Sequence, residues 1–430
     1  MRAGISRRRP TPVVAAVLAA LAVEVVDELV DGTKSAAVPL IRGSLGLSYE
    51  QVGLLAAVPL IAGSLIELPM GIVAGEGSRR RRVALAGGLV FIATLLGAAA
   101  ARTFGGLLAA FVIFFPASGA FVSLTQAALM DQAADRQAQL MARWTVAGAI
   151  GAVAGPLLLA GVVAAGGSWQ SAYVVLAAAA GVAWLGLVGA RLDRTDGQLP
   201  ADGQLPADGQ CPADDHTAHI TDHPAGAAPS WTARFRQAAA ALRWPVLRWL
   251  VLLEVADLLL DSFTGFVALY LVAAGGVSPA RAALGVGVRL AADLAGSAAL
   301  IPVLERVPPR VVLRASAAAA VALYPAFLLV PGFWPKVAVL AGLSLVTATW
   351  YPVLQAELYR SLPGQSGTAV SLLSTAGLVG GLGPLAVGFL AGQLGLGWAL
   401  AVLVVVPVAV LLGAGWRGAG WRGPGRRGPG

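Results

Sequence analysis

Twelve apolar runs organise this chain, each long enough to cross a hydrocarbon layer about 30 Å thick. The first six cover roughly 12–41, 48–74, 83–101, 105–130, 138–165 and 169–190. The second six cover roughly 246–274, 279–304, 311–331, 334–358, 366–393 and 397–415. Backbone polar groups in lipid must be satisfied within the segment, which for single runs of this length means α-helix. Of 430 residues, 57% are hydrophobic and 12% charged; the mean hydropathy is +0.77. A soluble domain carries about 25% charged residues, so this chain has too little polar surface to cover itself in water. The expected fold class is an all-α membrane protein with twelve transmembrane helices. The first run follows Arg7, Arg8 and Arg9 but is far longer than a signal-peptide core and contains Glu24, Asp27, Glu28 and Asp31. It therefore reads as the first helix.

The basic residues report orientation. A net charge of +8 would suggest a nucleic-acid partner in a soluble protein. Here the positive charges lie between spans, so no nucleic-acid partner is expected. Most of them fall on the side of the N-terminus, including Arg79 to Arg82, Arg306, Arg310 and Arg314, and Arg417 to Arg427; the opposite side holds Arg42, Arg102, Arg281 and Lys336. The positive-inside rule then predicts a multi-pass plasma (inner) membrane protein with both termini and the central loop in the cytoplasm.

The centre of the chain breaks the apolar pattern. The six-residue unit Asp-Gly-Gln-Leu-Pro-Ala occurs at Asp196 and again at Asp202. The same region holds His216, His219, His223 and the only cysteine, Cys211. Pro, Gly and Asp at this density do not build a packed core, which favours a disordered cytoplasmic linker over a metal-sensing loop. One cysteine excludes an intramolecular disulfide framework. The expected organisation is a six-helix bundle over 1–190, a linker over 191–243, a second six-helix bundle over 244–415 and a basic cytoplasmic tail over 416–430.

The two halves are repeats. Glu24, Asp27 and Asp31 in the first helix match Glu254, Asp257 and Asp261 in the seventh, at a constant offset of 230. Gly46-Leu47-Ser48 matches Gly276-Val277-Ser278 at the same offset. Gln126 matches Gln355, Gly155-Pro156 matches Gly383-Pro384, and Trp169 matches Trp398, each within two residues of that register. Parallel six-helix repeats imply a pseudo-two-fold axis along the membrane normal, with a site between the halves near mid-membrane.

Charges inside the membrane mark that site. A charge at the bilayer centre costs roughly 2.5–3.5 kcal/mol on insertion scales, so such groups face a wet cavity or one another. At about 100° per residue, Glu24, Asp27, Glu28 and Asp31 form one acidic stripe, and Glu254, Asp257 and Asp261 form its counterpart. The two stripes are expected to face each other across a central cavity. Arg289 and Asp293, at i and i+4 in the eighth helix, are positioned to pair. Gln126 and Gln355 either bind substrate or bridge helices. Gly155-Pro156 and Gly383-Pro384 are expected bending points in helices five and eleven. An excess of acids over Lys34 and Arg289 suits a cationic substrate, and close carboxylates suit proton coupling.

Here the residues resemble the major facilitator superfamily over essentially the whole chain outside linker and tail. The stretch from Gly71 to Arg82 is similar to that family's Gly-x-x-x-Asp-Arg-x-Gly-Arg-Arg loop, with Gly75, Glu76 and Ser78 departing from it. The resemblance implies a gating role for Gly71, Glu76, Arg79 and Arg80. Gly151-x-x-x-Gly155-Pro156 is similar to the Gly-Pro motif of drug/proton antiporters. Val38-Pro39-Leu40-Ile41 with Leu47 to Leu54 is similar to fosmidomycin-resistance-type exporters. The resemblance implies a monomeric secondary transporter working by alternating access. The resulting expectation is a proton-coupled efflux carrier of a small cationic or amphipathic compound, with lipid, substrate and protons as partners. A divalent metal-ion transporter is the alternative; a membrane-embedded enzyme or a sensor is weaker. No phosphate-cradling Gly-Lys-Ser/Thr loop is present, no covalent-catalysis arrangement is visible, and no His or Cys falls in a span. Neither enzyme activity, a cofactor nor a resident metal is therefore expected.

Overall fold

The computed structural model describes residues 12–74, 77–131, 137–190, 243–361, 376 and 378–415. Every described element is helical. In the first half these are α1 (Pro12–Leu45), α2 (Tyr49–Ala74), α3 (Gly77–Ala100), α4, α5 (Gln137–Ala164) and α6 (Trp169–Gly189). Helix α4 runs from Phe104–Ser118 through a π-helical turn at Gly119–Ser123 into Leu124–Asp131. In the second half α7 runs from Trp244–Asp257 through a π-helical turn at Leu258–Ser262 into Phe263–Gly275. It is followed by α8 (Pro279–Arg306), α9 (Pro309–Leu329) and α10, which comprises Phe333–Thr347 and Trp350–Arg360. The chain ends in α11, regular over Gly383–Leu394, and α12, comprising Leu396–Val402 and Val405–Gly415. The expected linker and tail lie outside the described residues, apart from Arg243, which caps α7.

Ten of these helices are long and apolar enough to cross a membrane. Helix α1 is long enough at 34 residues but carries five charges between Glu24 and Lys34, and α11 is described only from 378 onward. With those two the chain has the twelve-helix architecture expected from its apolar runs.

The repeat in sequence is a repeat in packing. The pairs α1–α6, α2–α4, α3–α4 and α3–α6 recur as α7–α12, α8–α10, α9–α10 and α9–α12. The breaks between helices recur too. Gly46 and Gly276 end α1 and α7 with φ of 63° and 61°, a left-handed conformation that glycine adopts without a Cβ penalty. Two residues on, Ser48 and Ser278 accept from the amides of Gln51 and Arg281, capping the next helix. The distortions of α4 and α10 also share a register: the π-helical turn of α4 begins at Gly119, and α10 breaks at Ala348–Thr349. At that break Ser316 of α9 contacts both the Thr349 hydroxyl and the Trp350 indole at 3.1 Å.

Helix approach is governed by small residues, as expected where lipid gives no hydrophobic drive between helices. On α5, Gly148, Gly151 and Gly155 lie against α1. A Cβ on Gly155 would stand 2.5 Å from the Thr33 amide and 2.6 Å from the Leu29 carbonyl. The Thr33 hydroxyl donates to the Gly155 carbonyl at 3.1 Å. The second half repeats this: Gly383 of α11 packs directly on Ser262 and Leu258 of α7. Both Gly-Pro sites, expected as bending points, are thus also places where backbone meets a neighbouring helix.

The halves join through α5 with α8, α2 with α11, and α1 with α7 and α8. The α2–α11 contact is backbone on backbone: a Cβ on Gly53 would lie 2.7 Å from the Pro384 carbonyl, and one on Gly388 would lie 2.6 Å from the Tyr49 carbonyl. The Pro156 ring and Leu157 pack against Gly287 of α8. These contacts lie toward the end that carries the α1–α2 and α7–α8 loops.

Candidate functional site

A cavity of about 580 Å³ lies between the halves, a size usual for small-molecule sites. Its walls come from α1 (Glu28, Asp31, Gly32, Ser35), α5 (Ala152), α7 (Asp257, Leu260, Thr264), α8 (Arg289, Leu290, Asp293, Ser297) and α10 (Thr347, Ala348, Tyr351, Pro352). Glu28, Asp257, Asp293 and Thr347 each stand near the middle of their helix. The cavity is therefore at the mid-depth of the helical layer.

Helical geometry explains which acids reach it. On α1 the cavity residues 28, 31, 32 and 35 follow the i, i+3, i+4, i+7 pattern of one face. Asp27 and Lys34 are seven residues apart and share a side of α1 about 100° round from Glu28; they meet α4. Asp27 accepts from the Ser118 hydroxyl at 2.7 Å, and the Lys34 ammonium stands over the Phe115 ring at 4.8 Å. Glu24, one turn nearer the N-terminus, lies against α5, where a Cβ on Gly148 would meet its carboxylate at 2.6 Å. The acidic stripe of α1 is therefore divided: Glu28 and Asp31 line the cavity, Asp27 turns to α4, and Glu24 turns to α5.

On α7 the division is different. Asp257, the repeat partner of Asp27, lines the cavity. Glu254 lies against Gly380 of α11. The side chain of Asp261 lies outside the described residues. Helix α7 carries at this level a π-helical turn that α1 lacks; one extra residue in a turn re-aims the side chains around it. The turn also supplies a chemical group. The Leu260 carbonyl accepts from the buried Arg289 guanidinium at 3.2 Å and from the Thr264 hydroxyl. Arg289, Leu260 and Thr264 all line the cavity, so α7 and α8 are tied there.

The remaining expected residues lie elsewhere. Gln126 and Gln355 are half-buried on α4 and α10 and do not line this cavity. Gly71 is in α2 and Glu76 lies outside the described residues. At the start of α3, Arg79 is exposed and Arg80 half-buried. Their neighbour Arg81 donates to the Val188 and Ala190 carbonyls at 2.9 and 3.2 Å, which places a cation on the C-terminal end of α6. Pro156 and Gly155 sit between α1, α5 and α8, and Gly383 and Pro384 between α7, α11 and α2. Glu357 is buried and held by Arg310 at 2.7 Å and by Arg360 at 2.9 Å.

Spacing alone did not single out Thr264, Thr347, Ser35, Ser297 or Tyr351 as cavity residues. One signal was present: Thr347 stands at the repeat position of Ser118, and both are hydroxyl residues at the distortion of their helix. Among the described residues no group of three or more His, Cys, Asp or Glu side chains is arranged to hold a metal ion.

Two like helical bundles around a polar mid-depth cavity define a secondary transporter of the alternating-access kind. The Major Facilitator Superfamily profile matches residues 20–275, and the chain belongs to that family. Among solved structures it is similar to a bacterial homologue of the human lysosomal transporter Spinster in an inward-facing, unoccupied conformation. That match has 15% identity and a TM-score of 0.73, and covers 94% of this chain and 98% of that one. It is also similar to the nucleoside transporter NupG, with 12% identity and a TM-score of 0.71, covering 95% of this chain and 100% of that one. At these identities the likeness is one of fold. No curated protein sequence matches the chain.

Proposed function

We propose that this chain is a proton-coupled carrier that exports a small cationic or amphipathic organic compound. The observation that carries this reading is the make-up of the mid-depth cavity: the carboxylates of Glu28, Asp31, Asp257 and Asp293 against the guanidinium of Arg289. Even with Asp31 paired to Lys34, three further acids against one arginine, drawn from α1, α7 and α8, favour positive charge in the cavity. A neutral solute such as a nucleoside, the substrate named for NupG, would gain little from that excess. Among the described residues of the cavity wall there is no Cys or His, so it suits an organic ammonium better than a soft metal.

Proton coupling is supported by the carboxylates that the cavity does not use. Asp27 and Glu24 lie inside the helical layer but turn to α4 and α5, leaving them to exchange protons while Glu28, Asp257 and Asp293 hold the cation. Export is supported by the antiporter-like Gly-Pro motif. In the expected topology the described contacts between halves close the periplasmic end, so the cavity would load from the cytoplasm. The test is flux in proteoliposomes under an imposed pH gradient, screening organic cations and divalent metals, with Asp257→Asn as control. Cation flux that follows the gradient and is lost in Asp257→Asn is expected. Flux of metals only, or of neutral solutes only, would overturn the reading.

A further inference from the structure

Lys34 of α1 lines a second, smaller space and forms an ion pair with Asp31, which lines the mid-depth cavity. That space, about 70 Å³, is lined by Lys34, Ser35, Val38, Ile41, Val52, Leu55, Ala56, Phe111, Gly265 and Phe266. Ser35 belongs to both walls, so the two spaces adjoin at the level of Lys34. The Lys34 ammonium forms an ion pair with Asp31, one of the four acids of the main cavity, and rests on the face of Phe115. The backbone of Asp31 is held as well, since the Ser35 hydroxyl donates to its carbonyl at 3.0 Å. Asp31 is exposed to the cavity while Lys34 is partly buried.

A lysine in this position costs desolvation, and its stem could be replaced by any apolar chain. What a lysine alone adds is a tethered positive charge on a substrate-facing carboxylate. We propose that Lys34 is the specificity-determining residue of the cavity: its ammonium occupies Asp31 and so selects singly charged over doubly charged cations. This rests on the cation-carrier reading and deepens it. With Lys34 in place, an incoming cation meets Glu28, Asp257 and Asp293 opposite Arg289, and a second ammonium reaching toward Asp31 meets Lys34 instead. Like charges repel, and the described residues of the narrow apolar space beyond offer a second ammonium no counter-ion. It does offer room for the uncharged end of a singly charged amphiphile.

The test compares two probes of matched length, hexyltrimethylammonium with one charge and hexamethonium with two. Binding to purified full-length protein is measured by calorimetry for the wild type, Lys34→Met, Lys34→Arg and Lys34→Met/Asp31→Asn. Methionine keeps an unbranched stem over Phe115, and arginine restores the charge. Wild type is expected to prefer the monocation. Lys34→Met is expected to raise the dication-to-monocation affinity ratio by about two- to fivefold, the worth of one ion pair at a site open to water. Lys34→Arg should keep the wild-type ratio, and adding Asp31→Asn to Lys34→Met should abolish the gain. An unchanged ratio in Lys34→Met, with the monocation still bound, would overturn the assignment of Lys34 and leave the cation-carrier reading standing. A wild-type protein that bound neither probe, nor any other cation in the flux screen, would overturn both.

Discussion

Asp27 of α1 accepts a 2.7 Å hydrogen bond from the Ser118 hydroxyl of α4, at the residue where α4 enters its π-helical turn. Its repeat partner Asp257 lines the cavity instead. One motif, present in both halves, thus stands in two environments, and π-helical turns are where helices commonly carry function.

The two aspartates should therefore fail differently. Asp257→Asn is expected to weaken cation binding by tenfold or more, since a carboxylate in the cavity wall loses its charge. Asp27→Asn is expected to leave binding within about threefold while abolishing flux driven by the pH gradient. Calorimetry and proteoliposome flux on the same preparations separate the outcomes. Equal losses of binding in both variants would mean that the stripe acts as one unit.

The Gly53–Gly388 contact leaves no room for a side chain on either helix. Replacing Gly53 by leucine is expected to hold α2 and α11 apart and shift the protein toward the state open at that end. A Val38→Cys probe beside the apolar space, made in a Cys211→Ser background, should then react with a membrane-impermeant maleimide at least tenfold faster. An unchanged rate would show that closure at this end does not depend on the glycine contact.

Gly151 of α5 is in direct backbone contact with Val25 of α1. Gly151→Val forces the helices apart and is expected to destabilise the protein by about 1–3 kcal/mol, the usual range for overpacking. Thermal unfolding in detergent reads this as a lowered midpoint. Gly161 has open space where its Cβ would go, and Gly161→Ala should leave the midpoint unchanged or slightly raised.

Lys336 looks from the sequence like a loop charge reporting topology, yet it is only 3% exposed. Its ammonium donates to the Phe327 carbonyl at 2.7 Å and to the Leu328 carbonyl at 3.1 Å, beneath the rings of Tyr270 and Phe327. It caps the end of α9 and binds it to α7 and α10. Lys336→Met strips the buried Phe327 carbonyl of this donor, while the Leu328 carbonyl keeps the Tyr270 hydroxyl at 2.9 Å; the change is expected to cost about 1–3 kcal/mol, again read by thermal unfolding, with cation affinity unchanged.

Much of this architecture is legible in one dimension because its causes are local. A helix that spans lipid must be apolar over a set length, so hydropathy alone marks twelve runs. A helix that stops needs a glycine, and one that starts needs a cap. Gly46 with Ser48 and Gly276 with Ser278 therefore announce both the turns and the repeat. The acidic stripe of α1 follows from 3.6 residues per turn. Equivalence in sequence did not carry through to environment, however. Trp169 is 2% exposed and its indole donates to Ser44 at 2.8 Å, while its repeat partner Trp398 is 72% exposed.

The sequence by itself determined the twelve helices, their two-fold repetition and the concentration of carboxylates on α1, α7 and α8. The tertiary structure alone decided that Glu28, Asp31, Asp257 and Asp293 share one cavity with Arg289, that Asp27 faces Ser118, and that Lys34 lines a smaller space beside that cavity. The physical reason is range. Helix formation and lipid crossing depend on neighbours a turn away, whereas the partner of a side chain depends on which helix packs beside it. That choice is made by glycines such as Gly53, Gly151 and Gly155, whose effect lies in contacts more than a hundred residues away.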